Sequence, residues 1–334
     1  MLKSLSLQNF RSYSKRSFTF GENTTLIVGP NAVGKTNILE AIYLLATGKS
    51  FRAEVEKELI KEGSAFAKAS ADEGGLEIIW DNRDRFSKLY RINGVGKRMV
   101  DFVGNLRVVI FSPQDIEIVA DSPSTRRKYL DLVLSLVHKD YRIAAHIYER
   151  ALRQRNRLLW RIREEGLDQG QLQYWDQLLI NNGKIIHDRR REFLNFLSGR
   201  EDLHLDYDHS IISLERLERY AVEEVSAATT LVGPQRDDFR VQYQKIAVKS
   251  FGSRGQQRLA IFAIKLGELE YVRQSTGEDP TLLLDDIFSE LDHANRHRVL
   301  GVIPKQQTIM TTTDLHLVEK EYIKHVDVVQ LGGD

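Results

Sequence analysis

The chain begins with short segments in which apolar and polar residues alternate, as they do in half-buried β-strands. LKSLSLQNF and SKRSFTF have this pattern, and TTLIV is a short apolar run typical of a buried strand. The later segments GLEIIW, KLYRI and LRVVIF are rich in β-branched and aromatic residues. INGVGK contains the pair Asn93 and Gly94, which favours a hairpin turn. The first third is therefore predicted to be mostly strands.

Helical periodicity appears at three places. In GKTNILEAIYLLATG, apolar residues recur at helical spacing, and Gly48 can end the helix. From Pro123 the pattern predicts one long amphipathic helix as far as GLDQGQ, and LQYWDQLLINNGKIIHDRRREFLNFL predicts a second. Two long helices joined by a short loop indicate a helical hairpin. Strands return in DDFRVQYQ, TLLLDD and QTIMTTT, with SIISLERL a weaker candidate.

The helical region separates two stretches that each look incomplete. We therefore expect an α/β head formed by residues 1–122 and 226–334, with a helical arm inserted at 123–225. A length of 334 residues with 42% hydrophobic residues fits a globular protein of about two domains.

Charge and cysteine content narrow the class of protein only a little. The formal net charge is +1, so only local basic patches bear on a nucleic-acid partner. The sequence has no cysteine, which excludes disulfides and thiolate metal sites. The N-terminus lacks an apolar signal segment, and no apolar run reaches the ~20 residues of a membrane span. We expect a cytoplasmic protein without a membrane partner.

GPNAVGKT at 29–36 matches G-x-x-x-x-G-K-[ST] and lies between a predicted strand and a predicted helix. Glycine in this pattern lets backbone N–H groups wrap a phosphate at the positive end of the helix. The lysine reaches the β- and γ-phosphates, and the hydroxyl holds Mg²⁺. The residues predicted to bind ATP here are Gly29, Pro30, Asn31, Ala32, Val33, Gly34, Lys35 and Thr36.

TLLLDDIFSELD at 281–292 reads as a buried strand that ends in acids. Asp285 is predicted to hold Mg²⁺, directly or through water. Asp286 is placed to polarise the attacking water. An ordinary acidic cap after a strand is the alternative.

Together with FGSRGQ upstream, these motifs resemble the ATPase heads of the ABC superfamily, in its SMC/Rad50 branch. There a signature loop precedes the acid-ended strand, and a D-loop follows it. Ser253, Gly255 and Gln256 fit the signature loop, and Asp292 fits the D-loop. The resemblance implies that the signature loop caps the γ-phosphate bound to a second subunit, so that two ATP molecules join a homodimer.

Further segments resemble the RecF family of recombination mediators. They are LQNFRSY, ATGKSFRA, FSPQDIEIVADSPSTRRKYLDLVL and VGPQRDDF, in order over residues 1–331. The sequence departs from the family pattern at Gln114, Ala120 and Gln235. The resemblance implies a slow ATPase that clamps double-stranded DNA near single-strand gaps without reading its sequence, and that works with RecO and RecR to load RecA.

Other site residues follow from this resemblance. Arg11 is expected near the phosphates, and Gln114 near Mg²⁺ and the attacking water. Thr312 and Thr313 stand where transporters place a switch histidine, and a hydroxyl cannot act as a base there. We therefore expect slow turnover.

The predicted arm is rich in arginine, which favours contact with phosphates of DNA. A solvated helix face is the alternative for any single arginine. The residues expected to bind DNA are Lys49, Arg52, Arg126, Arg127, Arg153 and Arg157.

Three alternative functions share parts of this sequence pattern. The first alternative, a nucleotide-binding subunit of an ABC transporter, shares the ATP-binding motifs. The basic arm and the missing switch histidine disfavour it. A small-molecule kinase has no use for a signature loop. A nuclease of the overcoming-lysogenization-defect type needs a metal-binding acidic domain, for which the chain after residue 300 is too short.

Overall fold

The computed structural model describes residues 1–200, 202–287, 301, 303, 306–313 and 326–332. The chain divides into two compact units. Unit 1 comprises Met1–Asp115 and Glu268–Asp334, and unit 2 comprises Ile116–Gly267.

Unit 1 is built from two sheets and the helices that cover them. Its elements up to residue 115 are β1 (Ser4–Phe10), β2 (Tyr13–Thr19), β3 (Thr24–Val28), α1 (Lys35–Thr47), β4 (Phe66–Ala71), β5 (Leu76–Asp81), β6 (Ser87–Ile92), β7 (Val95–Lys97), α2 (Met99–Phe102) and β8 (Val108–Phe111). The first sheet is antiparallel, with the strand order β2-β1-β4-β5-β6-β7.

Unit 2 is mainly helical. Its elements are α3 (Glu117–Ala120), α4 (Pro123–Val137), α5 (Lys139–Glu165), α6 (Gln173–Ser198), β9 (Leu203–Asp208), α7 (Leu214–Arg219), α8 (Ala221–Ala227), β10 (Asp238–Tyr243), β11 (Ile246–Ala247) and α9 (Val248–Phe251). α5 packs against α6, and β9, β10 and β11 form a small antiparallel sheet. α10 (Arg254–Thr276) starts in unit 2 and ends in unit 1.

The second sheet of unit 1 is parallel throughout, and it fixes where a site can form. The remaining strands are β12 (Thr281–Asp285), β13 (Thr308–Thr312) and β14 (Val326–Gln330). The strand order is β14-β3-β13-β12-β8. β3, β12 and β13 are buried along their whole length, as expected for the inner strands of a parallel sheet. In such a sheet ligands bind at the carboxyl ends of the strands.

Several predicted elements are confirmed. TTLIV is β3, and the helix after the phosphate loop is α1, which Gly48 ends in a left-handed conformation by donating its N–H to Leu44 O. Asn93 and Gly94 form the turn between β6 and β7, both with positive φ. The hairpin of long helices is α5 with α6.

Two predicted elements are wrong. The long helix from Pro123 is broken at His138, whose backbone is extended and whose N–H closes α4 on Leu134 O. SIISLERL is not a strand, because Ser213 caps the short helix α7 by accepting the N–H of Arg216.

The compact units differ from the predicted division after residue 225. Residues 226–267 group with the helices, because β10 pairs with β9 and β11 within unit 2. The assignment of a functional head and a functional arm stays a prediction.

Candidate functional site

The loop between β3 and α1 contains two residues with left-handed backbone, Ala32 at φ 66° and Gly34 at φ 106°. Such angles strain residues that carry a Cβ. At Gly34 a Cβ would lie 2.8 Å from Ser12 Oγ and 2.9 Å from Tyr13 Oη, so only glycine fits. The turn brings the positive end of the α1 dipole to the carboxyl edge of the parallel sheet.

Lys35 is the first residue of α1 and is 7% exposed. Its ammonium group donates to Gly29 O at 2.7 Å and to Pro30 O at 2.9 Å, so the side chain folds back over the loop. Burial lowers the pKa of Lys35, and the carboxylates of Asp286 and Asp285 oppose that shift. A partly desolvated cation held in this way favours a bound anion.

Asp285 ends β12 and is 4% exposed. Its Oδ1 accepts a hydrogen bond from the Thr36 hydroxyl at 2.9 Å and another from the Thr311 hydroxyl at 3.0 Å. Burial raises the pKa of Asp285, although both hydroxyls and the nearby cations Arg52 and Lys35 lower it. The structure thus brings together two of the three predicted Mg²⁺ ligands, Thr36 and Asp285.

These oxygen donors fit a magnesium ion. Mg²⁺ in nucleotide sites is held by one or two protein oxygens, with phosphates and water as the other ligands. A hydroxyl and a carboxylate 2.9 Å apart supply that set. Within the described ranges there is no group of three or more His, Cys, Asp and Glu side chains that suits a metal, and such a group is not needed here.

Asp286 follows directly and has φ 49°. Its N–H donates to the Thr311 hydroxyl at 3.0 Å, which fixes this strained backbone. Its carboxylate is close enough to Lys35 to affect the pKa of the ammonium group. Asp286 therefore lies near Lys35 of the phosphate loop, and its action on the attacking water stays a prediction.

Gln114 is exposed in the turn that follows β8. Ser112 and Asp115 close this turn, because Ser112 N–H donates to Asp115 Oδ2 at 2.7 Å and Asp115 N–H donates to Ser112 O at 3.1 Å. β8 is paired in parallel with β12, so Gln114 and Asp285 follow neighbouring strands at the same edge. The direct contact of Gln114 with Mg²⁺ stays a prediction.

Arg11 and Arg52 are placed differently from their predicted roles. Arg11 donates to both carboxylate oxygens of the buried Glu40, each at 2.9 Å, and its role at the phosphates stays a prediction. Arg52 was expected to contact DNA. Its guanidinium lies 3.5 Å from Asn37 Oδ1 and near enough to Asp285 to lower the pKa of that carboxyl, so Arg52 belongs to the phosphate-loop region.

The signature loop lies at the start of α10 in unit 2. Ser253 and Gln256 form a reciprocal helix cap, in which Ser253 N–H donates to Gln256 Oε1 at 2.9 Å and Gln256 N–H donates to Ser253 Oγ at 3.3 Å. Ser253 and Gly255 are exposed, and among the residues that the structure describes a Cβ on Gly255 would meet only Ser253 Oγ within 4 Å. Asp292 lies outside the described residues.

Among the residues expected to bind DNA, Arg126 does not lie where the prediction requires. It is 4% exposed and pairs in a bidentate way with Asp238, at 2.6 and 3.0 Å, so it cannot face a surface ligand. Arg127 is half-buried and donates to Asp237 O. Three others, still predicted to bind DNA, are exposed: Lys49, Arg153, which pairs with Glu149, and Arg157.

Thr311 is a site residue that the sequence analysis missed. It was passed over in favour of Thr312 and Thr313, although the parallel pairing sets Thr311 opposite Asp285. Two threonines end β13 and a third follows it. Which of the three faces Asp285 becomes clear only once the register of β13 and β12 is known.

Comparison with known proteins decides the family. The family model of the RecF/RecN/SMC N terminal domain matches residues 1–330. The DNA replication and repair protein RecF of Herpetosiphon aurantiacus is 37% identical over 96% of this chain and 95% of its own length. RecF of Thermosynechococcus vestitus is 38% identical over 94% and 91%. The chain belongs to the RecF family.

Solved structures agree with this membership. The recombination mediator protein RecF with ATP, in the RecFOR pathway, superposes with a TM-score of 0.86, is 34% identical, and covers 95% of this chain and 93% of that one. The SMC head bound to a domain of ScpA shares the fold alone, with a TM-score of 0.50 and 18% identity over 95% of this chain. The predicted RecF resemblance and the predicted ABC-type head are thus confirmed.

The part of the RecF-family chain that the structure describes contains no helix with the length and apolar composition of a membrane span. The RecF relatives match this chain along nearly its whole length, which favours a RecF-type protein over the transporter-subunit alternative.

Proposed function

We propose that this protein is an ATP-dependent recombination mediator whose two copies are joined by ATP. The observation that carries the proposal is the convergence of Lys35, Thr36 and Asp285 at the carboxyl edge of one parallel sheet. The RecF relative solved with ATP supports nucleotide binding at this edge.

Each residue at this edge has its own role in ATP hydrolysis. The α1 N-terminus and Lys35 bind the phosphates, and Thr36 and Asp285 would hold Mg²⁺. When bound, Mg²⁺ neutralises charge that develops on the phosphate oxygens. Asp286 polarises the attacking water, and Gln114 orients it. Slow turnover is expected, because Thr312 and Thr313 offer no base.

The signature loop completes the site in a second copy. Ser253 of the partner subunit offers a hydroxyl, and Gly255 of the partner subunit offers a backbone N–H at the positive end of α10. Their exposure in the single chain supports this role. ATP then lies between two copies in a symmetric dimer.

We further propose that the joined dimer clamps double-stranded DNA near single-strand gaps. Exposed Lys49, Arg153 and Arg157 contact backbone phosphates, so binding is independent of sequence and weakens as salt rises. With RecO and RecR, the protein then promotes the loading of RecA. The family membership supports these partners.

Dimer formation tests the proposal. Lys35→Ala and Ser253→Arg are each expected to abolish the ATP-dependent dimer in gel filtration, the first by losing the phosphate and the second by filling the interface. Ser226→Arg is the matched control, because Ser226 is an exposed serine in α8 of unit 2, and its dimer should form normally. Dimers that persist in both site variants would refute the proposal.

A further inference from the structure

Glu40 is a fully buried carboxylate in the middle of α1, with 0% exposure. Arg11 neutralises it through two hydrogen bonds of 2.9 Å. A buried charge is stable only when paired and hydrogen-bonded, so this carboxylate fixes the groups around it. Glu40 lies on the helix that Lys35 begins, and it takes no part in the site proposed above.

Ser50 is the second group bound to Glu40. Its hydroxyl donates to Glu40 Oε1 at 2.5 Å, while its oxygen accepts the N–H groups of Arg52 at 2.9 Å and Ala53 at 2.8 Å. A serine hydroxyl has one donor and two acceptor positions, so all of its capacity is used. The backbone at Arg52 is therefore tied through Ser50 to α1.

The segment is also held on either side of Arg52. The Lys88 ammonium donates to Gly48 O at 2.6 Å and to Glu56 Oε1 at 2.5 Å. Arg11 donates to Glu58 O at 3.0 Å. These contacts leave little freedom to the backbone that carries Arg52.

The side chain of Arg52 extends from this fixed backbone to the phosphate-loop region. It is exposed, and its Nη1 lies 3.5 Å from Asn37 Oδ1, the outer range of a hydrogen bond. Asn37 directly follows Thr36 in α1. A guanidinium that is held in place but weakly engaged can bind the oxygens of a phosphate.

We propose that Glu40 and Ser50 are positioning residues that hold Arg52 toward the phosphates of bound ATP. The inference rests on the proposed function, and it gives Arg52 a phosphate-binding role instead of the DNA contact expected from the sequence. Arg11 contributes to the same arrangement, because it pairs with the carboxylate of Glu40.

A double-mutant cycle tests this role. ATP hydrolysis is measured without DNA for the wild type, Ser50→Ala, Arg52→Ala and the double variant. Each single change is expected to lower kcat by about tenfold, because the guanidinium is lost or misplaced. The double variant is expected to be no slower than Arg52→Ala, since Ser50 acts through Arg52.

Thr47→Val is the matched control. The Thr47 hydroxyl at the end of α1 donates to Tyr43 O and Lys49 O and accepts the Lys49 N–H, and none of these groups links Glu40, Ser50 and Arg52, so the kcat of this variant should stay within about twofold of wild type. Glu40→Gln tests the same relation. The fall in kcat that this change causes should likewise disappear when Arg52 is already alanine.

The outcomes separate this inference from the proposed function. Losses that add in the double variants, or full activity in Ser50→Ala, would overturn the positioning role while leaving the ATPase intact. A wild-type chain that hydrolyses no ATP would instead overturn the proposed function, and the role of Arg52 with it.

Discussion

Asp285 is buried, and burial disfavours the ionised form of its carboxyl group. Burial raises its pKa above the ordinary 3.8, and the hydroxyls of Thr36 and Thr311 offset this only in part. Above the raised pKa the folded chain carries an ionised carboxylate that water would solvate better. Below 3.8 the group is protonated in both folded and unfolded chains, and the destabilisation disappears. Function and stability therefore conflict at this residue.

We predict that Asp285→Asn raises the melting temperature of the nucleotide-free protein at pH 7 by about 2 °C. The difference from wild type should shrink as the pH falls toward 3.8, and hydrolysis should fall by about a hundredfold because Mg²⁺ is lost. Thermal denaturation and ATPase assays check both effects.

Asp81→Asn is the control, with the opposite sign. A hydrogen bond from Arg83 lowers the pKa of Asp81 to about 2, so this charge stabilises the fold above 3.8 and that effect is lost as the pH falls toward 2. Asp81→Asn should therefore not raise the melting temperature at pH 7. A lower melting temperature for Asp285→Asn at pH 7 would contradict the account.

Single residues also show where the sequence stops being informative. The motif at 29–36 predicts the roles of Lys35 and Thr36, because its chemistry is local. Arg126 reads as one of many basic residues in a helix, and only its partner 112 positions away, Asp238, shows that it is structural. Arg52 is likewise explained by Ser50 and Glu40, which the motif does not mark.

At the scale of elements, buried arginines join the helices of unit 2 to the loop before β10. Arg190 in α6 is 4% exposed and donates to Asp131 of α4 at 2.8 Å, to Asp237 at 2.8 Å and to Pro234 O at 2.7 Å. Asp237 is itself 1% exposed. This network explains the segment VGPQRDDF, whose residues contact helices far away in the sequence.

We predict that Arg190→Ala lowers the free energy of unfolding by about 3–5 kcal/mol, because it leaves the charge of Asp237 buried without its partner. Its neighbour Arg191 is exposed and pairs with Asp188, so Arg191→Ala should cost about 0.5 kcal/mol or less. Urea denaturation compares the two variants. Equal effects would contradict the structural role of the network.

Elements were predicted well where periodicity alone decides them. β3, α1 and α6 have continuous or helical apolar patterns, and the structure contains them. The break at His138 has no such signal, because helical periodicity continues across it. β9 was also missed, although Leu203, Leu205 and Tyr207 alternate with polar residues in LHLDYD as in a half-buried strand, and its pairing with β10 identifies it.

At the scale of the whole molecule, the proposed mechanism depends on two phosphate-binding segments that lie far apart in the sequence. The phosphate loop belongs to unit 1 and the signature loop to unit 2. If each acts on the ATP of the other copy, no chain is active alone, and specific activity rises with protein concentration.

Mixing two inactive variants tests this claim most directly. Lys35→Ala lacks a working phosphate loop and Ser253→Arg lacks a working signature loop, but a dimer of one copy of each retains one complete site. The account predicts that an equimolar mixture hydrolyses ATP at up to about half of the wild-type rate, because neither variant pairs with itself and each mixed dimer has one complete site of two, while each variant alone is inactive. A mixture as inactive as its separate components would contradict the claim that two copies build each site.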